Sequence, residues 1–132
     1  CEVAIAAADA GADAITAVNT VRAMAIDVET MRPILANKIG GLSGAAIKPI
    51  ALRCVFEIYH VVKIPVIGCG GITNWQDAVE FLLAGASAVQ IGTAIALKDV
   101  EVFKAVTRGI NLYLRKKGFD NVKEIIGLAH QI

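Results

Sequence analysis

Residues able to bind or transform a small molecule fall in three short clusters, Asn19-Thr20, Cys69-Gly70-Gly71 and Gly92-Thr93. A glycine-rich stretch, Gly40-Gly41-Leu42-Ser43-Gly44, lies between the first and the second. The Asn amide and the Thr hydroxyl can both donate and accept, which suits a planar ligand bearing carbonyl, N–H and carboxylate groups. An Asn there also suits a local turn cap. Glycine turns at helix starts let an anion reach backbone N–H groups with no Cβ in the way, so Gly70-Gly71 and Gly92-Thr93 together read as a phosphate cradle without arginine. The same glycines would also serve tight strand-to-helix turns with no ligand at all. Ser43 reads as either the cap of the following helix or a ligand contact.

Other chemistry is thinner. His60 and His130 have no Asp or Cys partners at metal-ligand spacing and read as surface or core histidines. Cys69 at a helix start could be reactive, but it reads better as a small buried residue. Asp9, Asp13, Asp77 and Asp99 read as caps or solvated charges. No general base stands out, which places any catalytic base outside these residues.

The elements that must position the clusters follow from hydrophobic period. Residues 2 to 10 read as helix stopped by Gly11, and Asp13 to Val18 as a buried strand. Residues 46 to 62 place Ile47, Ile50, Ala51, Cys54, Val55, Ile58 and Val62 on one face, with Pro49 tolerable only in the first turns. Pro65 to Cys69 is too short for a helix and predicts a buried strand. Asn74, with Asp77 three residues on, predicts a capped helix ending near Ala84-Gly85, and Ala88 to Ile91 predicts a third strand. Asp99 is expected to cap a long helix over about 100 to 117, followed by a short one over 121 to 128. The corner Ala-Gly-Ala occurs at Ala10-Gly11-Ala12 and again at Ala84-Gly85-Ala86, each time before an apolar run. Helices alternating with apolar runs predict parallel βα units, with each chemical cluster at a strand's carboxyl end, where ligands bind in α/β folds. Residues 19 to 45 make an unusually long connection, within which 24 to 27 and 33 to 35 could pair as a hairpin.

Composition narrows the classes. The chain has 132 residues, 56% hydrophobic, 19% charged, with a net charge of +1. That balance argues against disorder and nucleic-acid binding, and no apolar run is long enough for a membrane helix. Three widely spaced cysteines suit neither a disulfide framework nor paired zinc ligands and point to a reducing cytoplasm. A mean hydropathy of +0.63 is high for a lone domain, so part of the apolar surface is expected to meet another polypeptide. The chain opens on Cys1 within an alanine-rich helix, which reads as a segment of a longer protein, with residues 1 to 132 as one partial barrel.

Taken together, Val18-Asn19-Thr20, Gly40-Gly41-Leu42-Ser43-Gly44 with Ile47-Lys48-Pro49, Gly68-Cys69-Gly70-Gly71-Ile72, and Ala84-Gly85-Ala86-Ser87-Ala88-Val89-Gln90-Ile91-Gly92-Thr93-Ala94 resemble dihydroorotate dehydrogenase in order and spacing. The likeness is to the family's carboxyl-terminal half, and within it to the soluble, NAD-linked, two-subunit type. It implies an α/β fold, the carboxyl-terminal half of an FMN-binding (β/α)8 TIM barrel, with about three parallel strands and flanking helices. It implies oxidation of dihydroorotate to orotate in pyrimidine synthesis with FMN as hydride acceptor. Asn19 and Thr20 would bind the substrate ring and carboxylate, Val18 would touch the flavin, and Gly44, Gly70, Gly71, Gly92 and Thr93 would hold FMN, the last four around its phosphate. A homo-oligomer and an FAD/iron–sulfur electron-transfer subunit are the implied partners. The family's flavin-side lysine, its earlier asparagines and its Cys or Ser base have no counterpart here. Two alternatives stay open: another FMN barrel of the dihydropyrimidine or dihydrouridine type, and a non-catalytic phosphate-binding half-barrel.

Overall fold

The structure, a computed structural model, describes residues 1–131. In chain order it comprises α1 (Glu2–Asp9), β1 (Ile15–Ala17), β2 (Val21–Ala23), β3 (Ile26–Asp27), β4 (Arg32–Pro33) and β5 (Gly40–Leu42). A 3₁₀ turn at Ala45–Ile47 leads into α2 (Lys48–Val61), then β6 (Val66–Cys69), α3 (Trp75–Leu83), β7 (Ala86–Gln90), α4 (Thr93–Lys98) and α5 (Glu101–Lys117). Two further 3₁₀ turns, Val122–Ile125 and Leu128–His130, close the described chain.

The three expected strands form one sheet in the order β1-β6-β7, all parallel, with Thr16 opposite Ile67 and Ile67 opposite Ala88. Alternate residues on this sheet have different fates. Ala17, Val66, Gly68 and Ala86 are buried beneath helices, whereas Thr16 and Ala88 on the other face are exposed. The helices therefore cover one face, as in a segment of a barrel wall. Packing on the covered face is tight: Phe81 of α3 is fully buried, and a Cβ built on Gly68 would lie 2.5 Å from its ring. Gly68 thus lets α3 sit close to β6, and it does so without any unusual backbone angle.

Local signals explain the helix boundaries. Asn74 accepts a hydrogen bond from the Asp77 N–H (2.9 Å) and starts α3 as expected. Gly118 ends α5 at a φ of 79° behind Arg115, Lys116 and Lys117, whose charges suit a helix carboxyl end. Pro49 sits in the first turn of α2, where its missing N–H costs nothing.

Four expectations need correction. The hairpin expected between 24 to 27 and 33 to 35 is present as the antiparallel pair β3–β4, but the rest of the connection over residues 19 to 45 is not loop: outside the hairpin β2 pairs with β5. Gly40-Gly41 is accordingly strand, because Gly41 lies against the Thr20 side chain and leaves no room for a Cβ. Asp99 does not cap a helix over 100 to 117. It ends α4 at a φ of 56° and accepts from the Val100 N–H (2.6 Å), redirecting the chain into α5. The terminal helix over 121 to 128 is replaced by two 3₁₀ turns separated by Gly127 in the left-handed region, with Asn121 and Glu124 forming a reciprocal capping box on the first.

The Gly68–Phe81 contact generates a stability prediction. Gly68→Val should be destabilising by at least the roughly 1–3 kcal/mol that overpacking costs. Thermal unfolding followed by circular dichroism should show a melting point several degrees lower; an unchanged melting point would contradict the close approach of α3 to β6.

Candidate functional site: a cleft at the carboxyl ends of the parallel strands

A cleft of about 360 Å³ opens at the carboxyl ends of β1, β6 and β7. It is lined by Val18, Asn19, Thr20, Gly44, Gly70, Gly71, Gly92 and Thr93, so the sequence-predicted site residues come together from four separate segments. A wider depression along α5, bordered by Phe103, Lys104, Arg108 and Arg115, is the outer face of a single helix and holds none of them. Ser43, Cys69, Gln90 and Leu97 also line the cleft. Leu97 escaped the sequence reading because α4 did: six residues give too short a period to recognise, although Leu97 stands one helical turn beyond Thr93.

The glycines differ in why they are glycine. Gly70 and Gly71 have φ of 134° and 77°, which other residues avoid. A Cβ at Gly70 would come 2.8 Å from Ala51, and one at Gly71 would come 2.8 Å from the Lys48 nitrogen and 2.9 Å from the Gly44 carbonyl oxygen. For these two, tight packing against the start of α2 is sufficient reason. Gly92 has an ordinary negative φ of −114°, and a Cβ there would meet nothing within 4 Å. No neighbouring atom excludes a side chain at 92: a Cβ there would stand in open space, and only the ψ of −87° at this φ is one that other residues seldom adopt.

The helix starts also differ. The first turn of α3 is already occupied, since the Asn74 side chain takes the Asp77 N–H and the Asp77 carboxylate takes the Thr73 N–H (2.8 Å). The Gly70-Gly71 turn therefore precedes a helix whose start is capped by Asn74, as its spacing to Asp77 predicts. The start of α4, with Gly92 as its cap residue, has no side-chain cap. A short helix of this kind after the final strand is a recurrent part of phosphate sites in α/β barrels.

Asp77 is neither a mere capping partner nor a solvated charge. It is 6% exposed, and its carboxylate takes the Lys48 ammonium (2.7 Å) as well as the Thr73 N–H and hydroxyl (2.8 Å each). Lys48 also reaches Glu80 at 3.0 Å. Burial pushes the Asp77 carboxyl upward, but the Lys48 ammonium and the two Thr73 donors outweigh it and hold the group below its ordinary 3.8. The hydrogen bond to Asp77 holds Lys48 above its ordinary 10.5, against the opposing effect of burial. The ammonium of Lys48, whose backbone packs against the glycine turn, is thus committed to carboxylates.

Polar contacts close the rim. The Thr93 hydroxyl donates to the Ser43 hydroxyl (2.8 Å), joining the two loops across the cleft; Ser43 makes no helix cap. Lys98 donates to the Thr73 carbonyl at 2.9 Å. The Asn19 side-chain oxygen accepts from the adjacent Thr20 N–H (2.7 Å) without forming a turn, while its exposed amide nitrogen donates to nothing among the described residues. Cys69 is half-buried at the cleft wall, more open than expected. His60 and His130 stack, centroids 5.0 Å apart, far from the cleft lining, and His130 Nε2 lies 3.0 Å from the Ala84 carbonyl oxygen. No group of three metal-ligating side chains gathers among the described residues, and no helix there is long and apolar enough to cross a membrane.

Parallel strands with helices on one face, and a glycine-lined cleft at their carboxyl ends, define a segment of an α/β barrel. The family model for dihydroorotate dehydrogenase matches residues 1–114, and the chain belongs to that family. It is 58% identical over 125 residues to the dihydroorotate dehydrogenase B (NAD(+)) catalytic subunit of Thermococcus kodakarensis, covering 95% of this chain and 41% of that protein. The like-named subunit of Pyrococcus abyssi is 58% identical over 131 residues, covering 99% of this chain and 44% of that one. The crystal structure of the Eimeria tenella dihydroorotate dehydrogenase in complex with ferulenol superposes with a TM-score of 0.80 at 30% identity, over 99% of this chain and 35% of that one. The chain thus spans less than half the length of these relatives.

The charge network predicts a pH profile. The Asp77 carboxylate is favoured in the folded state, so its contribution is complete above 3.8 and is lost as pH falls through its lower folded value. The Lys48 contribution is complete below 10.5 and is lost as pH rises through its higher folded value. Urea unfolding across pH should therefore show Asp77→Asn less stable than the parent on the plateau between these limits, with the gap closing at the acid end. A gap independent of pH would contradict the ion pair.

Proposed function

We propose that this chain supplies the flavin and substrate contacts of a dihydroorotate dehydrogenase, an oxidoreductase of pyrimidine biosynthesis that converts dihydroorotate to orotate with FMN as hydride acceptor. The observation that carries the reading is the convergence of Val18, Asn19, Thr20, Gly44, Gly70, Gly71, Gly92 and Thr93 on one cleft. Family membership favours it over the dihydropyrimidine, dihydrouridine and purely phosphate-binding alternatives.

The residues fit the cofactor. Gly92 leaves open space where a Cβ would stand, and the uncapped start of α4 directs backbone N–H groups toward an anion. Gly70, Gly71, Gly92 and Thr93 would hold the FMN phosphate, with Gly44 and Val18 beside the rest of the cofactor. When bound, the flavin supplies two-electron acceptor chemistry. Asn19, with its free amide nitrogen, and Thr20 would orient the orotate ring and carboxylate. Ser43 steadies Thr93 through their shared hydrogen bond.

The same reading assigns a homo-oligomer, an FAD/iron–sulfur electron-transfer subunit and a cytoplasmic setting. The relatives' designation as catalytic subunits of an NAD-linked enzyme supports a second subunit.

Two outcomes test the proposal. Gly92→Val should reduce FMN affinity of the chain at least tenfold, since it places a side chain where backbone hydrogen bonds to a charged group, each about 1.5–3 kcal/mol, would form. Unchanged affinity by flavin fluorescence titration would remove the phosphate from this cleft. The chain alone should bind FMN weakly and show no orotate formation with an artificial acceptor, because none of its residues matches the family's base and such a base is worth roughly 10²–10⁴ in rate. Ordinary turnover would mean that a residue here, Cys69 first, acts as the base.

A further inference from the structure

The Gly70-Gly71 turn is built from two residues with positive φ, and such a segment does not hold one shape by its own preference. What fixes it is Thr73 at the cleft wall, held from behind by Asp77 and Lys48, which do not line the cleft. The Asp77 carboxylate takes both donors of Thr73, two residues beyond Gly71, and with its other oxygen takes the Lys48 ammonium. The backbone nitrogen and Cβ of that same Lys48 stand where a Gly71 Cβ would collide. The Thr73 carbonyl in turn accepts from Lys98, at the end of α4. One buried carboxylate thereby links the exit of the glycine turn, the start of α2 that packs on it, and α4 on the opposite side of the cleft.

We propose that Asp77, seated by Lys48, is a positioning residue that sets the Gly70-Gly71 turn for a phosphate monoester, acting through Thr73 without touching the ligand. The inference rests on the phosphate reading of the cleft. It adds that affinity for the phosphate end of the ligand is governed by a carboxylate, a group that would repel phosphate if it faced it. Its charge is instead spent on Lys48 and on a backbone N–H that would otherwise compete for position at the rim. An exclusively structural Asp77 would affect every ligand of the cleft alike. A positioning Asp77 affects the phosphate-bearing ligand selectively.

The experiment compares FMN with riboflavin, which lacks the phosphate, by ligand-observed NMR titration of the full chain and of Asp77→Asn and Thr73→Val. Circular dichroism checks that each variant is folded. The parent is expected to prefer FMN. Asp77→Asn should lower FMN affinity about tenfold, the worth of one charge-assisted hydrogen bond, and leave riboflavin affinity within about twofold. Thr73→Val, which removes only the hydroxyl, should lower FMN affinity by a smaller factor with riboflavin again unchanged. If Asp77→Asn does not fold, Thr73→Val decides alone. A variant that keeps the parent's FMN preference, or loses both ligands in parallel, overturns the positioning role while the phosphate site stands. A parent with no preference for FMN overturns the phosphate reading and this proposal with it.

Discussion

Parallel pairing of β1, β6 and β7 brings three carboxyl ends to one rim, and every residue assigned to a ligand hangs from that rim or from the β5 segment that folds over it. Parallel strands must be joined by crossovers, here by α2 between β1 and β6 and by α3 between β6 and β7, which bring the chain back so that all three strands end on the same side. The site is thus a consequence of topology before it is a consequence of side chains. The side chains then decide which starts stay open. Asn74 and Asp77 close that of α3, and Gly92 leaves that of α4 exposed.

The helix-covered face and the opposite face divide the energetics. On the covered side, Ala17, Val66, Ala86 and Phe81 exclude water, and small residues such as Gly68 let α3 approach β6. On the other side Thr16 and Ala88 stand exposed, where the closed barrel of a relative would have its interior. The antiparallel strands over residues 21 to 42 add an exposed apolar surface that includes Met24, Ile26, Val28, Met31 and Ile34. These two surfaces account physically for a mean hydropathy of +0.63 in a chain with so few charges.

Much of this was legible in the residues. The repeated Ala-Gly-Ala corner and the short apolar runs located all three parallel strands, and glycines at the run ends located the cleft. What escaped had no local signature. The β2–β5 pairing depends on Gly41 fitting against Thr20, two residues far apart in sequence, and glycines seldom signal a strand. α4 is too short to show a period. Asp77 looked like a helix cap because the Asn-to-Asp spacing is that of a cap, and its ion pair with Lys48, 29 residues away, is a product of tertiary packing. The Gly70-Gly71 turn is legible as a glycine turn, but the sequence does not reveal that close packing against the start of α2 accounts for both glycines.

In the proposed site, backbone groups at the ends of β6 and β7 bind the phosphate of a flavin nucleotide. Amide chemical-shift mapping of the isotopically labelled chain tests it most directly, with FMN and riboflavin titrated in parallel. Phosphate-dependent shifts, produced by FMN and absent with riboflavin, are expected at Gly70, Gly71, Gly92 and Thr93. Phosphate-dependent shifts centred instead on the basic outer face of α5, at Lys104, Arg108 and Arg115, would contradict it.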